Sequence, residues 1–186
     1  MIYELPQALE IDGTAWDIRT DYRVVLTILE AFDDPNLEDQ HKLYVCLYNL
    51  YEDFEHMPQD IYNKAYSAAV KFIDAGRDHD DRPTGPKTLD WVQDAPLLFP
   101  AVNRVAGMEI RSVEYLHWWT FMGYFMEIHD GTFAQVLQLR GKKAKGKKLE
   151  KYEREYWAEN KDICQLKTKL TDEELAEKEK LKALLG

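Results

Sequence analysis

Two segments near the start of the chain alternate apolar and polar residues. They are Ala8–Ile11 and residues 15–18, and Asp12-Gly13 lies between them. An Asp-Gly pair suits the left-handed backbone of a two-residue turn, so this pattern predicts a β-hairpin. Because an isolated hairpin is only marginally stable, we expect one apolar face to pack on helices.

Helical spacing of apolar residues follows the hairpin. Thr20 or Asp21 is expected to cap a first helix that ends near Phe32. Pro96 and Pro100 are expected to kink or split the fourth helix. The other predicted helices cover residues 37–51, Pro58 to Ala75 with Gly76 as a left-handed cap, Asp90 to the residue before Gly107, Ser112 to Ile128, and Thr132 to Leu139. We therefore predict a mainly α fold, with a helical body over residues 1–139.

The fifth predicted helix has little polar surface. Residues 115–128 are apolar almost all round, which is typical of a helix that is buried on every side. Tandem tryptophans can also form a binding platform, and that alternative stays open. The predicted core motif is Leu116, His117, Trp118, Trp119 and Phe121.

Residues 140–186 are interpreted as a mobile C-terminal arm. Gly141 and Gly146 interrupt a run with seven basic residues, which predicts a solvated hinge. An amphipathic helical stripe follows, and Thr171 to Glu174 forms a capping box for a last helix. The stripe must be covered, either on the chain's own body or by a second copy. Its members are the expected partner-binding residues: Leu149, Tyr152, Tyr156, Ile163, Leu166 and Leu170.

Charge is divided unevenly along the 186 residues. Residues 1–139 have 10 Lys and Arg against 24 Asp and Glu, a net charge of −14, whereas residues 140–186 have a net charge of +4. An acidic body argues against a nucleic-acid partner, because it repels phosphates. The lysine run leaves three interpretations open, namely a solvated hinge, an acidic protein partner and nucleic acid. A composition with 45% hydrophobic residues excludes a disordered protein.

Candidate chemistry is sparse. Asp78-His79-Asp80-Asp81 is the nearest approach to a metal cluster, but adjacent loop residues rarely converge on one ion, so a solvated loop within residues 77–89 is expected. His117 could be catalytic only with an orienting carboxylate such as Glu114, and a structural histidine is the alternative. Cys46 and Cys164 have no metal or redox spacing. We expect no enzymatic activity, no metal and no cofactor.

The sequence suggests an address in the cytoplasm of the cell that makes it. Glu4, Pro6 and Glu10 interrupt the first ten residues, so a secretory signal is not expected. No apolar run reaches the length that a membrane span requires.

Four segments give the chain a family resemblance. They are residues 18–23, Asp90-Trp91 with Asp94-Ala95, residues 115–121, and Arg140 with residues 146–151. On these segments the sequence resembles the bacteriophage "gene product fifteen" family, found in phages and prophages of Gram-positive bacteria. The resemblance extends from residue 8 to about residue 170.

The resemblance implies a role in phage tail morphogenesis. Family members lie between the major tail protein and the tape measure protein, a position typical of helical tail assembly chaperones. The implied partners are therefore the tape measure protein and, as a second candidate, the major tail protein. The implied location of the protein is the cytoplasm of the bacterial host. A homo-oligomer is a further expectation, which comes from the uncovered apolar stripe. A permanent structural tail component, such as a completion or connector protein, is the alternative. The family has no catalytic residues to carry over.

Overall fold

The structure, a computed structural model, describes residues 4–76 and 85–185. These residues confirm the predicted fold class, mainly α with one small N-terminal hairpin. The hairpin strands are β1 (Ala8–Ile11) and β2 (Thr14–Asp17). The helices of the described residues are α1 (Tyr22–Phe32), α2 (Asp39–Leu50), α3 (Tyr62–Ile73), α4 (Ala95–Ala106), α5 (Trp118–Met126), α6 (Gly131–Ala144), α7 (Lys151–Glu159), α8 (Lys161–Cys164) and α9 (Asp172–Leu185).

The hairpin turn has the geometry that its sequence predicts. Asp12 and Gly13 have φ angles of 51° and 81°, so both residues of the turn are left-handed. Ile11 is buried, and an isolated bridge joins Ile18 to Tyr51 at the end of α2. The hairpin is thus packed on helices, as its marginal stability alone requires.

Helices α1 to α3 begin the core. The Asp21 carboxylate caps α1 by accepting a hydrogen bond from the backbone N–H of Arg23. The third helix begins at Tyr62 rather than at Pro58, because a 3₁₀ turn over Gln59–Ile61 precedes it. Gly76 has a φ of 72° and its N–H reaches the carbonyl of Lys71, which confirms it as the cap.

Helix α4 is continuous, so of the two outcomes expected at its prolines, a kink or a split, the split is wrong. Pro96 lies in the first turn, where a backbone N–H needs no helical partner. Pro100 lies inside the helix and removes a single hydrogen bond, the one that residue 100 would donate to the carbonyl of residue 96. The left-handed Gly107 ends the helix, as the sequence predicts.

Helix α5 begins at Trp118, so the expected start at Ser112 is wrong. An extended segment precedes it and pairs with the residues before α1, through hydrogen bonds from Tyr22 N–H to the Leu116 carbonyl (3.0 Å) and from Trp118 N–H to the Thr20 carbonyl (2.7 Å). Burial on every side is also wrong, because Tyr115 and Met126 are exposed. These tertiary hydrogen bonds outweigh the apolar pattern that favours a longer helix.

The first residues of the segment predicted as a hinge, residues 140–151, are helical. Helix α6 continues to Ala144, and Arg140 is buried. The boundary expected between residues 139 and 140 therefore falls inside a helix. A short link, in which Gly146 has a φ of 66°, instead separates α6 from the following residues. We therefore restrict the name arm to residues 149–171, instead of the whole of residues 140–186.

Candidate partner-binding surface

The predicted core motif lies where α5 meets α1 and α3. Trp118 and Phe121 are almost fully buried, Leu116 is buried at the edge, and Trp119 is half-buried. The indole N–H groups of Trp118 and Trp119 donate to the carbonyls of Ile73 (2.8 Å) and Phe72 (2.9 Å). The tandem tryptophans thus hold the end of α3 through hydrogen bonds.

His117 has a structural position in the described part of the chain. Its Nδ1 accepts a hydrogen bond from Trp119 N–H (3.0 Å), which caps α5. Since Nδ1 is an acceptor, Nε2 carries the proton and donates it to the carbonyl of Pro6, 3.0 Å away. Both ring nitrogens are occupied by backbone groups. No hydrogen bond or ion pair among the described residues joins Glu114 to His117.

The predicted stripe does not form one continuous face. Helix α7 ends where the Asn160 side chain and backbone N–H both bond to the Tyr156 carbonyl at 3.0 Å. After the short α8, residues 165–171 are not helical. The stripe residues therefore have three different environments. Leu149, Tyr156 and Ile163 pack against a small cluster that Cys164 forms with α6. Leu166 and Leu170 are half-buried further along the chain, and Tyr152 is 65% exposed.

Arg140 anchors the arm to the body, by which we mean the part before residue 140. Its guanidinium forms a fork with the buried Asp94 carboxylate, with nitrogen–oxygen distances of 2.6 and 2.8 Å. The same group donates to the carbonyls of Cys164 (2.9 Å), Ile163 (2.6 Å) and Thr88 (3.0 Å). All five guanidinium donors are thereby used. One charged side chain joins α4, α6 and the arm.

Polar side chains at the start of α4 hold the next part of the arm. The Gln93 amide donates to the Gln165 carbonyl (2.8 Å) and accepts from Lys167 N–H (2.9 Å), as a neighbouring β-strand would. Asp90 pairs with Lys87 (3.1 Å) and Lys169 (3.4 Å). Burial raises the pKa of Asp90, but the hydrogen bond from Gln93 N–H and the two lysines outweigh it and lower that pKa to about 2.

An open groove lies between the body and the end of the arm. Its volume is about 660 Å³, and we call it the leucine groove. Asp172 N–H bonds to the Asn36 side chain at 2.9 Å, which ties the start of α9 to the connection between α1 and α2. The apolar lining of the leucine groove comes from Ala31, Pro35, Leu37, Val45, Leu170 and Leu175. Glu30, Asp34 and Asp172 add acidic groups to the lining. Leu170 is the predicted partner-binding residue that lines it.

The two cysteines are buried, and the described residues contain no metal-binding cluster. Cys46 and Cys164 are free and buried, and burial raises the pKa of both thiols, that of Cys46 to about 12. Within residues 4–76 and 85–185 no three His, Cys, Asp or Glu side chains are grouped to hold a metal ion. The candidate Asp78-His79-Asp80-Asp81 lies outside the described residues. None of the described helices is long and apolar enough to cross a membrane.

Sequence reasoning alone missed the leucine groove and the Arg140 anchor. The groove joins residues near 35 to residues near 172, and Arg140 meets a carboxylate 46 positions away. The one available signal for the anchor is the pair of residues already noted in the family resemblance, Asp94 and Arg140. Their opposite charges could have suggested a contact.

Comparison with known proteins identifies the family. Residues 1–166 match the family model described as Bacteriophage Gp15 protein, and the chain belongs to that family. The match includes the hairpin, the core and the Arg140 anchor, and it ends before Leu170 and α9. No curated protein and no solved structure matches the chain. Membership suggests a structural or morphogenetic role in a phage.

Proposed function

We propose that this member of the Bacteriophage Gp15 protein family is a tail assembly chaperone that binds the tape measure protein in the cytoplasm of the bacterial host. The observation that carries the proposal is the leucine groove, an apolar surface open to a helix. Family membership supports a phage role of this general kind. A long helical client with exposed apolar stripes needs such a cover until the tail tube forms around it.

The lining of the groove specifies the chemistry of the client helix. Leu37, Leu170 and Leu175 offer an apolar surface, which suits the helix-in-groove mode of recognition. Glu30, Asp34 and Asp172 add negative charge at the same surface. The cation in the lining, Lys169, is paired with Asp90. The preferred client is therefore an amphipathic helix with basic residues beside its apolar stripe. Binding of many copies along one long client makes up for a weak affinity of each.

Co-expression with the cognate tape measure protein tests the proposal. The expected result is a tape measure protein that becomes soluble and is recovered with this chain in a pull-down. Leu175→Asp should abolish this rescue, because it places a charge in the groove. Leu181→Asp is the matched control, since Leu181 is on the same exposed helix, is 53% exposed and does not line the groove.

The same experiment separates the groove from the predicted stripe. Ile163 packs beside the Arg140 anchor, so replacing it disturbs the arm itself. Tyr152→Asp changes the one stripe residue that is exposed, at 65%, and should leave the rescue intact. A tape measure protein that stays insoluble with the wild-type chain contradicts the proposal.

Mass spectrometry of purified virions distinguishes a chaperone from a permanent tail component. A chaperone leaves before the tail is complete, so its peptides should be missing from mature particles. Stoichiometric recovery of this chain in mature virions would favour the structural alternative, a completion or connector protein.

A further inference from the structure

The link between α6 and α7 forms a second groove, which we call the basic groove. It is open, with a volume of about 500 Å³, and it is lined by Lys143, Gly146, Lys147, Lys148, Leu149, Arg154 and Trp157. The Lys143 ammonium lies 4.0 Å from the centre of the Trp157 ring. Within the described part of the chain no carboxylate forms an ion pair with the four cations of this lining. Four positive charges therefore surround an apolar floor without compensation.

A surface of opposite character lies where α2 ends, and we call it the acidic patch. Glu52, Asp53 and Glu55 line a shallow cavity of about 340 Å³ together with Tyr48. Tyr48 is 54% exposed and stacks on Tyr44, which is also exposed. This patch combines negative charge with accessible aromatic rings.

The cations near the acidic patch neutralise only part of its charge. Arg19 donates its hydrogen bonds to backbone carbonyls, among them that of Tyr51 at 2.7 Å, rather than to the carboxylates. His56 pairs with Asp53. Glu52 and Glu55 form no ion pair in the described part of the chain.

We propose that the basic groove of one copy binds the acidic patch of a second copy. The carboxylates of the patch face the four cations, and the exposed tyrosine rings meet the Trp157 and arginine side of the groove, where cations and aromatic rings attract each other. The unequal charge of the two parts of the chain, −14 before residue 140 and +4 after it, orients approaching copies in the same way.

This contact has a defined symmetry consequence. The two surfaces share no residue, so after one groove–patch contact the first copy keeps a free patch and the second copy keeps a free groove. Further copies can then add head to tail, unless the same two copies form both contacts at once around a two-fold axis. The inference does not depend on the proposed function, because it concerns the purified chain alone.

Sedimentation velocity over a concentration series tests the inference. The wild-type chain should associate at about 50 mM salt and much less at about 500 mM salt, because exposed charges are screened. K143E/K147E/K148E changes the groove, and E52K/D53K/E55K changes the patch. Each variant alone should lose association at least about tenfold, since like charges then face each other. An equimolar mixture should associate again, because each variant retains the surface that complements the other.

A matched control separates local contact from overall charge. K178E/K180E/K182E makes the same change in net charge on α9 and should associate as the wild type does. Circular dichroism should give the same melting temperature for all variants, since the substituted side chains are exposed. The inference is overturned if the wild-type chain stays monomeric at low salt. It is equally overturned if the mixture stays monomeric, or if the groove variant associates no less than the control.

Discussion

The core around Trp118 and the arm over residues 149–171 are stabilised by different kinds of contact. Core side chains such as Val25, Leu47 and Trp118 are almost completely buried, so removal of apolar surface from water is their main stabilisation. The arm shares only a small apolar cluster with α6. The side chains of Arg140 and Gln93 hold its backbone between residues 163 and 167 through hydrogen bonds.

This difference determines how each region should come apart. Apolar burial is shared among many neighbours, so the core should unfold in one cooperative step. The arm depends on a few directional bonds, and such a segment can open locally at a lower free energy than global unfolding. Four predictions test this contrast, from the largest expected effect to the smallest.

Trp118→Ala should destabilise the core most. The side chain is the largest of the fully buried ones, it stacks on Phe121 at 5.4 Å, and its N–H bonds to the Ile73 carbonyl. A truncation of this size costs about 3–5 kcal/mol of unfolding free energy. Denaturant unfolding followed by far-UV circular dichroism measures it. Val92→Ala, at a half-exposed position, is the control and should change the free energy by less than about 0.5 kcal/mol.

Arg140→Met should release the arm while the core stays folded. It leaves the buried Asp94 carboxylate without its partner, which costs up to about 3–5 kcal/mol unless the arm undocks and water reaches the charge. Hydrogen exchange should therefore show lost protection over residues 149–171, with α1 and α5 unchanged.

Two further variants complete that comparison. Asp94→Asn combined with Arg140→Met removes the unpaired charge and should recover part of the lost protection. Lys145→Met changes an exposed cation at the end of the same helix, which forms no side-chain hydrogen bond or ion pair with the arm in the described part of the chain, and should leave the arm protected. If Arg140→Met instead unfolds core and arm together, the two regions are one cooperative unit and the contrast fails.

Acid should loosen the arm before it unfolds the core. The pKa of Asp90 is lowered from 3.8 to about 2, so the ionised carboxylate stabilises the folded state above about pH 4, and this contribution is lost as the pH falls towards 2. With a side chain only 6% exposed, the whole contribution to folding is about 2 kcal/mol, and the part that acts on the arm is the smallest one, the attraction between Asp90 and Lys169. Limited proteolysis of the arm at several pH values between 5 and 2 measures this loss of stability. Asp90→Asn should remove that pH dependence, and an unchanged profile would contradict the assignment.

The two regions also differ in how far the sequence predicts them. Asp12-Gly13, Asp21 and Gly76 act through backbone groups a few residues away, so their turn and caps could be read from local sequence. Arg140 could not be interpreted in that way. It lies beside a lysine run typical of solvated segments, and its carboxylate partner is 46 residues distant.

The start of α5 and the course of the arm show the same limit. The helix predicted from Ser112 begins only at Trp118, because hydrogen bonds to Thr20 and Tyr22 hold the preceding residues in an extended form. In the arm, apolar spacing predicts a helix, but the Gln93 side chain holds residues 165–167 in an extended form. Tertiary hydrogen bonds of this kind leave no local sequence signature, so the leucine groove could not be predicted from the sequence.

Thr171→Ala should have the smallest effect and should change only α9, the helix that follows the arm. Thr171 and Glu174 form the predicted capping box, with hydrogen bonds from Thr171 N–H (2.8 Å) and from Glu174 N–H (3.2 Å). Removal of such a cap costs about 1 kcal/mol of helix stability. Helix α9 is exposed along its described side chains, and an isolated helix of its length is marginal in water, so this loss is enough to fray it.

The measurement for this last variant is the helical signal of α9 against the stability of the core. Far-UV circular dichroism should lose a small part of its helical intensity, while the denaturant midpoint stays that of the wild type. Thr168→Ala, three positions earlier and without a side-chain hydrogen bond in the described structure, should change neither quantity. A lower midpoint for Thr171→Ala would mean that α9 stabilises the core. The exposure of α9 argues against this, because a helix that buries little apolar surface contributes little to the stability of the core.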